Sequence, residues 1–307
     1  MGVPPARASV NARSSDAPNA VTSSRMPTNE RRVDVAHVLI LGAGYTGAAT
    51  ARLARAAGLG VRVTVRSEDR ANALRAEGFD VIVLPSLDET VAGWIDAATH
   101  VVVAFPPDGV TEFRIAPSLA RAASSVFIST TGVYGERRGR VDDRTPLPDA
   151  PDARGARYLD AERAFRERGA TVLRSPAIYG PERGLHVRVL RGEHRIPGDG
   201  SRTLSRIHVE DLAALLLAAR RVTAETFVVG DAEPAPHLDV VRFVCSTYCV
   251  PLPESVPLGD VHDSLRADRA VDGTRALATL GVTLRYPSYR DGMAPSAIGR
   301  AVSPVRE

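Results

Sequence analysis

The stretch His37-Val38-Leu39-Ile40-Leu41-Gly42-Ala43-Gly44-Tyr45-Thr46-Gly47 decides how the rest of the chain is read. A short apolar run meets glycines at positions 42, 44 and 47, and an Ala- and Leu-bearing helical pattern follows as far as Gly58. Strand, glycine turn and helix in that order build an anion cradle. Gly42 permits a tight turn, Gly44 lets the backbone approach a diphosphate, and Gly47 permits close packing of helix on strand. The first helical amides and the helix dipole then face the phosphates. A GxGxxG segment alone is a weak signal, but at the head of a βαβ unit it is a strong one.

The flanking pattern supplies that unit. Val61, Val63 and Val65 alternate as a strand, Leu74 lies in the next helix, and Asp80 to Leu84 make a third strand. Val91 to Ala98 reads as helix, His100 to Ala104 as strand, Ile115 to Ala123 as helix and Val126 to Ser129 as strand. Strands alternating with helices at this spacing predict an α/β fold, a Rossmann-type doubly wound parallel sheet covered on both faces. From Tyr134 the pattern loosens into a charged, Pro-rich loop, followed by a helix from Arg154 to Arg168 and a strand from Thr171 to Ser175. Shorter elements follow Gly180: helices over 209–221 and 239–249 and a strand over 226–229. The expected division is a disordered tail over 1–33, a nucleotide-binding core over 34–180, a small C-terminal substrate-binding part with returning sheet elements over 181–295, and a loose tail over 296–307. Met26, inside the first tail, leaves the translation start open between Met1 and Met26.

Composition excludes several function classes. With 307 residues, 44% hydrophobic and 24% charged, the chain is no disordered, collagen-like or coiled-coil protein. All 39 Lys+Arg positions are arginine, so Schiff-base chemistry and a P-loop lysine are ruled out. The net charge is only +3, and the basic residues form no stripe with interleaved aromatics, so no nucleic-acid partner is expected. No apolar run approaches the ~18 residues that span a bilayer, and no signal-peptide core occurs at the start. A soluble, cytoplasmic protein without a membrane partner is the expectation. Cys245 and Cys249, one helical turn apart, read as buried thiols in a reducing compartment. The seven histidines form no metal-binding spacing, and no GxSxG turn appears.

Four segments in order carry a family resemblance: Gly42 to Gly47; Ser129-Thr130-Thr131-Gly132-Val133-Tyr134-Gly135; Leu173-Arg174-Ser175-Pro176-Ala177-Ile178-Tyr179-Gly180-Pro181; and Arg206-Ile207-His208-Val209-Glu210-Asp211-Leu212-Ala213. On these the chain resembles the extended short-chain dehydrogenase/reductase superfamily, the NAD-dependent epimerase/dehydratase group, from about Val38 to Met293. The resemblance implies a nicotinamide dinucleotide held by Gly42, Gly44, Tyr45, Thr46 and Gly47. It implies Ala104, Phe105 and Pro106 beneath the cofactor, and Pro176 to Ile178 along the nicotinamide. Thr130 would orient the reacting oxygen, and Tyr158 would be the proton donor. The family's Tyr-x-x-x-Lys reads here Tyr158-Leu159-Asp160-Ala161-Glu162, with glutamate in the lysine place. Residues four apart share a helix face, and a carboxylate there disfavours a phenolate, the reverse of what proton abstraction requires. Arg157 and Arg163 flank the pair but lie about 100° round the helix from one of its members.

Arg66 stands at the end of the second strand, where NAD enzymes carry an acidic residue, so NADP is favoured; Glu68 nearby leaves NAD open. Arg183, Arg188, Arg191 and Arg195 lie where extended family members grip substrate, and read either as a carboxylate or phosphate grip or as a solvated loop. His208 and Asp211 read as structural. Two functions remain open. One is an NADP-dependent oxidoreductase or epimerase acting on a small hydroxyl- or carbonyl-bearing metabolite, anionic if the four arginines grip it, with Thr130, Tyr158 and Glu162 as candidate catalytic residues. The other is an NADP-binding sensor without turnover.

Overall fold

In the computed structural model, residues 1–2, 35–262 and 265–298 are described. Met26 and nearly all of the expected first tail lie outside them, as do residues 299–307 of the expected last tail, whereas 296–298 fall in a short helix, Pro295–Ile298. The chain runs β1 (His37–Leu41), α1 (Tyr45–Ala56), β2 (Gly60–Val65), α2 (Glu68–Ala76), β3 (Asp80–Val83), β4 (Thr99–Val103), α3 (Thr111–Leu119) and β5 (Ser124–Thr130). It continues through β6 (Arg138–Val141), α4 (Ala153–Arg166), β7 (Thr171–Ser175), β8 (Ala177–Tyr179), α5 (Leu185–Leu190), β9 (Ile196–Pro197), β10 (Thr203–Leu204), β11 (Arg206–His208) and α6 (Val209–Ala218). Then come β12 (Thr226–Val228), β13 (Ala235–Pro236), α7 (His237–Tyr248), β14 (Ser255–Val256), β15 (Asp268–Val271), α8 (Thr274–Leu280) and α9 (Tyr289–Gly292).

Seven strands form one parallel sheet in the order β12-β7-β5-β4-β1-β2-β3. β1 and β4 are buried along almost their whole length, as strands covered on both faces must be, which is why they read as continuous apolar runs. One face packs Val38, Ile40 and Val63 against Ala48 and Ala51 of α1 and Leu212 and Leu216 of α6. The other packs Leu39, Val101 and Phe127 against Ile115 of α3 and Phe165 of α4. The strand order reverses between β1 and β4, which opens a crevice at the carboxyl ends of the strands.

The part after Gly180, joined by β6 and β8 from before it, does two jobs. β12 completes the large sheet and α6 covers its face, while a small sheet, β13-β10-β15-β6, and the β8–β11 pair build the far wall of the crevice. Two local expectations are corrected. Val91 to Ala98 is not an α-helix: a six-residue 3₁₀ helix, Glu89–Trp94, spans the connection, with Asp88 accepting the Thr90 amide and Gly93 within it. Of the two cysteines only Cys245 is buried. Cys249 caps α7 in the left-handed conformation (φ 54°) and is exposed.

Candidate functional site

The glycine loop is built by steric exclusion. At Gly42 φ is +95°, and a Cβ would sit 3.2 Å from Phe105 Cβ. At Gly47 a Cβ would lie 2.4 Å from the Gly42 carbonyl oxygen, so only glycine lets α1 start this close to β1. At Gly44 a Cβ would meet no atom within 4 Å: this residue faces open space. Gly42 N–H donates to Thr64 Oγ1 (2.9 Å) and Ala43 N–H to the Thr64 carbonyl (2.8 Å), which pins the loop to β2. Bare backbone facing a crevice at a helix N-terminus fits a diphosphate.

The crevice is a cleft of about 900 Å³. Gly44, Tyr45 and Thr46 line one end, and Ala104, Phe105 and Pro106 its floor. Thr130, Tyr158, Pro176 and Ile178 line its centre. Gly42 and Gly47 support the loop from beneath and do not line the cleft. The Tyr45 ring packs under Gly180, with the Arg183 guanidinium 5.7 Å from its centre, and burial pushes its hydroxyl up to about 12. Arg66 is exposed just beyond β2 and does not line the cleft. Its neighbour Arg70 reaches the loop instead, donating from Nε to the Ala43 carbonyl (3.1 Å) and from Nη2 to the Gly44 carbonyl (3.3 Å).

At the centre, Thr130 Oγ1 accepts the Gly132 amide at 3.0 Å. Tyr158 is half-buried, its ring stacked at 6.3 Å on Phe127, and the Arg154 guanidinium lies 5.3 Å from its ring centre one turn earlier on α4. Arg154 also lines the cleft. It is the cation that the sequence reading passed over in favour of Arg157 and Arg163, although the four-residue spacing was visible.

Glu162 is the main correction. It does not line the cleft: only 4% exposed, it grips Arg174 of β7. Arg174 Nη2 lies 2.7 Å from Oε2 and Nε 3.0 Å from Oε1, and Ser129 Oγ donates to Oε1 at 2.5 Å. Arg174 Nη1 also donates to Tyr134 Oη (3.0 Å), whose hydroxyl donates to the Asp142 carbonyl (3.1 Å). The carboxylate expected to oppose a tyrosinate is therefore neutralised, and Glu162 ties α4, β5 and β7 together in place of acting on substrate. Arg174 was missed because one sequence gives no sign of which distant strand a helix residue meets.

Arg183, Arg188 and Arg191 line the cleft; Arg195 does not, and donates to the His194 carbonyl at 2.9 Å. Asp211 accepts the amides of Arg285 (2.7 Å) and Tyr286 (3.0 Å), and His208 caps α6, its Nδ1 accepting the Glu210 amide. Burial lowers His208 to about 4. Among the described residues no cluster of His, Cys, Asp or Glu could hold a metal ion, and no helix is long and apolar enough to cross a membrane.

No protein-family model matches the chain. A Streptomyces protein named 3-diazoavenalumate denitrifying reductase is 28% identical over 303 residues, covering 83% of this chain and 98% of the relative. A solved structure of a conserved protein of unknown function from Silicibacter pomeroyi is 30% identical and superposes with a TM-score of 0.73, covering 84% of this chain and 97% of that one. A UDP-glucuronic acid 4-epimerase from Bacillus cereus, solved with NAD, shares the fold at a TM-score of 0.68 and 19% identity, covering 87% of this chain and 100% of that one. With its glycine loop at the strand-order reversal, the chain shares the Rossmann-type α/β fold of these proteins, a fold also found in a NAD-dependent epimerase/dehydratase-like structure and in one solved with NADPH.

Proposed function

We propose that this protein is an NADPH-dependent reductase whose acceptor takes a hydride without needing a proton from a tyrosine–lysine pair. The observation that carries the reading is the pairing of Glu162 with Arg174: the family's lysine place is spent on structure, while the glycine loop, Thr130 and Tyr158 still share one cleft. Gly44 and the first amides of α1 would hold the diphosphate, and Arg70, which donates to the loop carbonyls, and Arg66, exposed just beyond β2, support a 2′-phosphate and so NADP. Glu68, the acidic residue that kept NAD open, pairs with Arg75 at 2.9 Å.

The relative's activity suggests the acceptor class. The chemistry that a bound reduced nicotinamide would supply is a hydride; on an aryl diazonium the new C–H bond would replace the C–N bond, with dinitrogen leaving with that bond's electron pair and no proton consumed. Such a reaction asks of the protein only positioning and exclusion of water. Thr130 orients the acceptor, Tyr158 covers one face of it, and Arg154 keeps a positive charge beside that tyrosine ring.

The test is NADPH oxidation with an aryl diazonium and with a panel of aldehydes and ketones, using nicotinamide deuterated at C4. Deuterium in the arene product supports the reading, and efficient turnover of simple ketones alone overturns it. Tight binding of NADPH with no acceptor consumed would favour the sensor, which the lost lysine also permits.

A further inference from the structure

The half of the cleft beyond Tyr158 is built for negative charge. Among the described residues six arginines and one carboxylate, Glu182, line the cleft. Arg183 stands beside Tyr45, at the glycine-loop end. Arg188 and Arg191, on and just after α5, are exposed, so they attract an anion without fixing its place.

Arg206 is different. It sits on β11, 4% exposed, with the Tyr289 ring centre 5.4 Å from its guanidinium. Its Nη1 is buried and has no hydrogen-bond partner among the described residues. An ionised donor left unpaired in the interior costs more than a neutral one, so a partner is expected from outside the chain. The groups packed round it do not supply one. Asp231, 3% exposed, makes no ion pair with it, and burial lifts that carboxyl to about 8 despite the pull of Arg206. His237, which lines the cleft, and His194, which meets it at 2.9 Å, are both held neutral by burial. Arg269 lines the same recess and is already committed through Nη1 to the Gly135 carbonyl. One buried cation with a planar fork suits a planar monoanion, and a dianion would leave a surplus charge.

We propose that Arg206 is the specificity anchor of the acceptor, receiving a carboxylate carried at the end of the substrate remote from the reacting carbon. This rests on the reductase reading only in taking the recess as the acceptor's end of the cleft.

Cinnamate and benzoate are the probes, each compared with its amide by calorimetry on the full chain in the presence of NADP. Wild-type protein should bind a carboxylate saturably, about tenfold or more tighter than the matching amide. Arg206→Met should abolish that preference, and Arg206→Lys should weaken it by losing the fork, while Arg191→Ala should keep it. NADPH affinity, measured on the same samples, should be unchanged by all three. Equal binding of acid and amide, no saturable binding of either acid, or a preference surviving in a folded Arg206→Met would overturn the proposal. If Arg206→Met does not fold, a full wild-type preference in Arg206→Lys does so. Failure of NADPH to bind would instead strike the cofactor reading and leave the acid–amide comparison to stand by itself.

Discussion

Arg174 of β7 and Glu162 of α4 form a two-point ion pair, Nη2 to Oε2 at 2.7 Å and Nε to Oε1 at 3.0 Å, with side chains only 9% and 5% exposed. Breaking such a pair from one side strands a buried charge. Glu162→Ala should lower unfolding free energy by about 3–5 kcal/mol in denaturant melts. Glu162→Lys, which restores the family's motif on paper, should set two cations face to face and destabilise the fold at least as much, with no gain in turnover. Replacing both, as Glu162→Leu with Arg174→Met, should recover most of the loss. A stable and faster Glu162→Lys enzyme would show that the pair is not the reason for the missing lysine.

The two ends of the glycine loop should separate folding from binding. Gly47→Ala drives a Cβ to 2.4 Å from the Gly42 carbonyl oxygen and should cost about 1–3 kcal/mol or more by thermal melting. Gly44→Ala meets no protein atom within 4 Å and should melt as wild type does. Equal melting of the two variants would contradict this packing of α1 on β1.

Tyr158→Phe distinguishes the acceptor classes. A diazonium consumes no proton, so its reduction should change by less than about threefold, whereas an acceptor dependent on proton delivery should lose roughly 10²-fold or more. Steady-state rates on both substrates decide it. A large loss on the diazonium would return Tyr158 to the role of proton donor.

Stability should depend on pH with a predictable sign. Burial lowers His100, His186, His194 and His208 to about 4 and His237 to about 3. Between those values and the unfolded histidine pKa of about 6.5, the unfolded chain binds more protons, so stability rises with pH across that window. Asp231, raised to about 8 by burial, acts oppositely: folded it keeps a proton that the unfolded chain loses above about 4, so it erodes stability up to pH 8. Below 6.5 the five histidines outweigh Asp231 and the two other carboxyls that burial raises, Asp143 and Asp211. Melting temperature should climb from pH 4.5, peak near 6.5 and decline gently towards 8, and Asp231→Asn should flatten the decline. A monotonic rise to pH 8 in wild type would contradict the burial of Asp231.

The parallel core was legible because each of its signals is local. The run from Val38 to Leu41, the three glycines after it and the alternation of Val61, Val63 and Val65 all report on neighbours a few residues away. The cleft residues Ala104 to Pro106, Pro176 and Ile178 came from the family resemblance, and all of them line the cleft. Long-range partners were not legible: Glu162 meets a strand residue 12 positions on, and Asp211 takes amides 74 and 75 positions away. Arg206 reads in sequence as one arginine among 39, and only burial distinguishes it. The segment from Val91 reads as a helix in sequence, yet a six-residue 3₁₀ helix at Glu89–Trp94 suffices to bury Val91 and Ile95.

The central claim is that bare backbone at Gly44 grips the diphosphate of a nicotinamide dinucleotide. It is tested most directly by titrating the purified protein with NADPH and NADH, beside Gly44→Val. Wild type should bind NADPH saturably and more tightly than NADH, and the folded Gly44→Val should lose at least about tenfold in affinity for both. A wild-type protein that binds neither coenzyme, or a valine variant that binds them undiminished, would contradict the account.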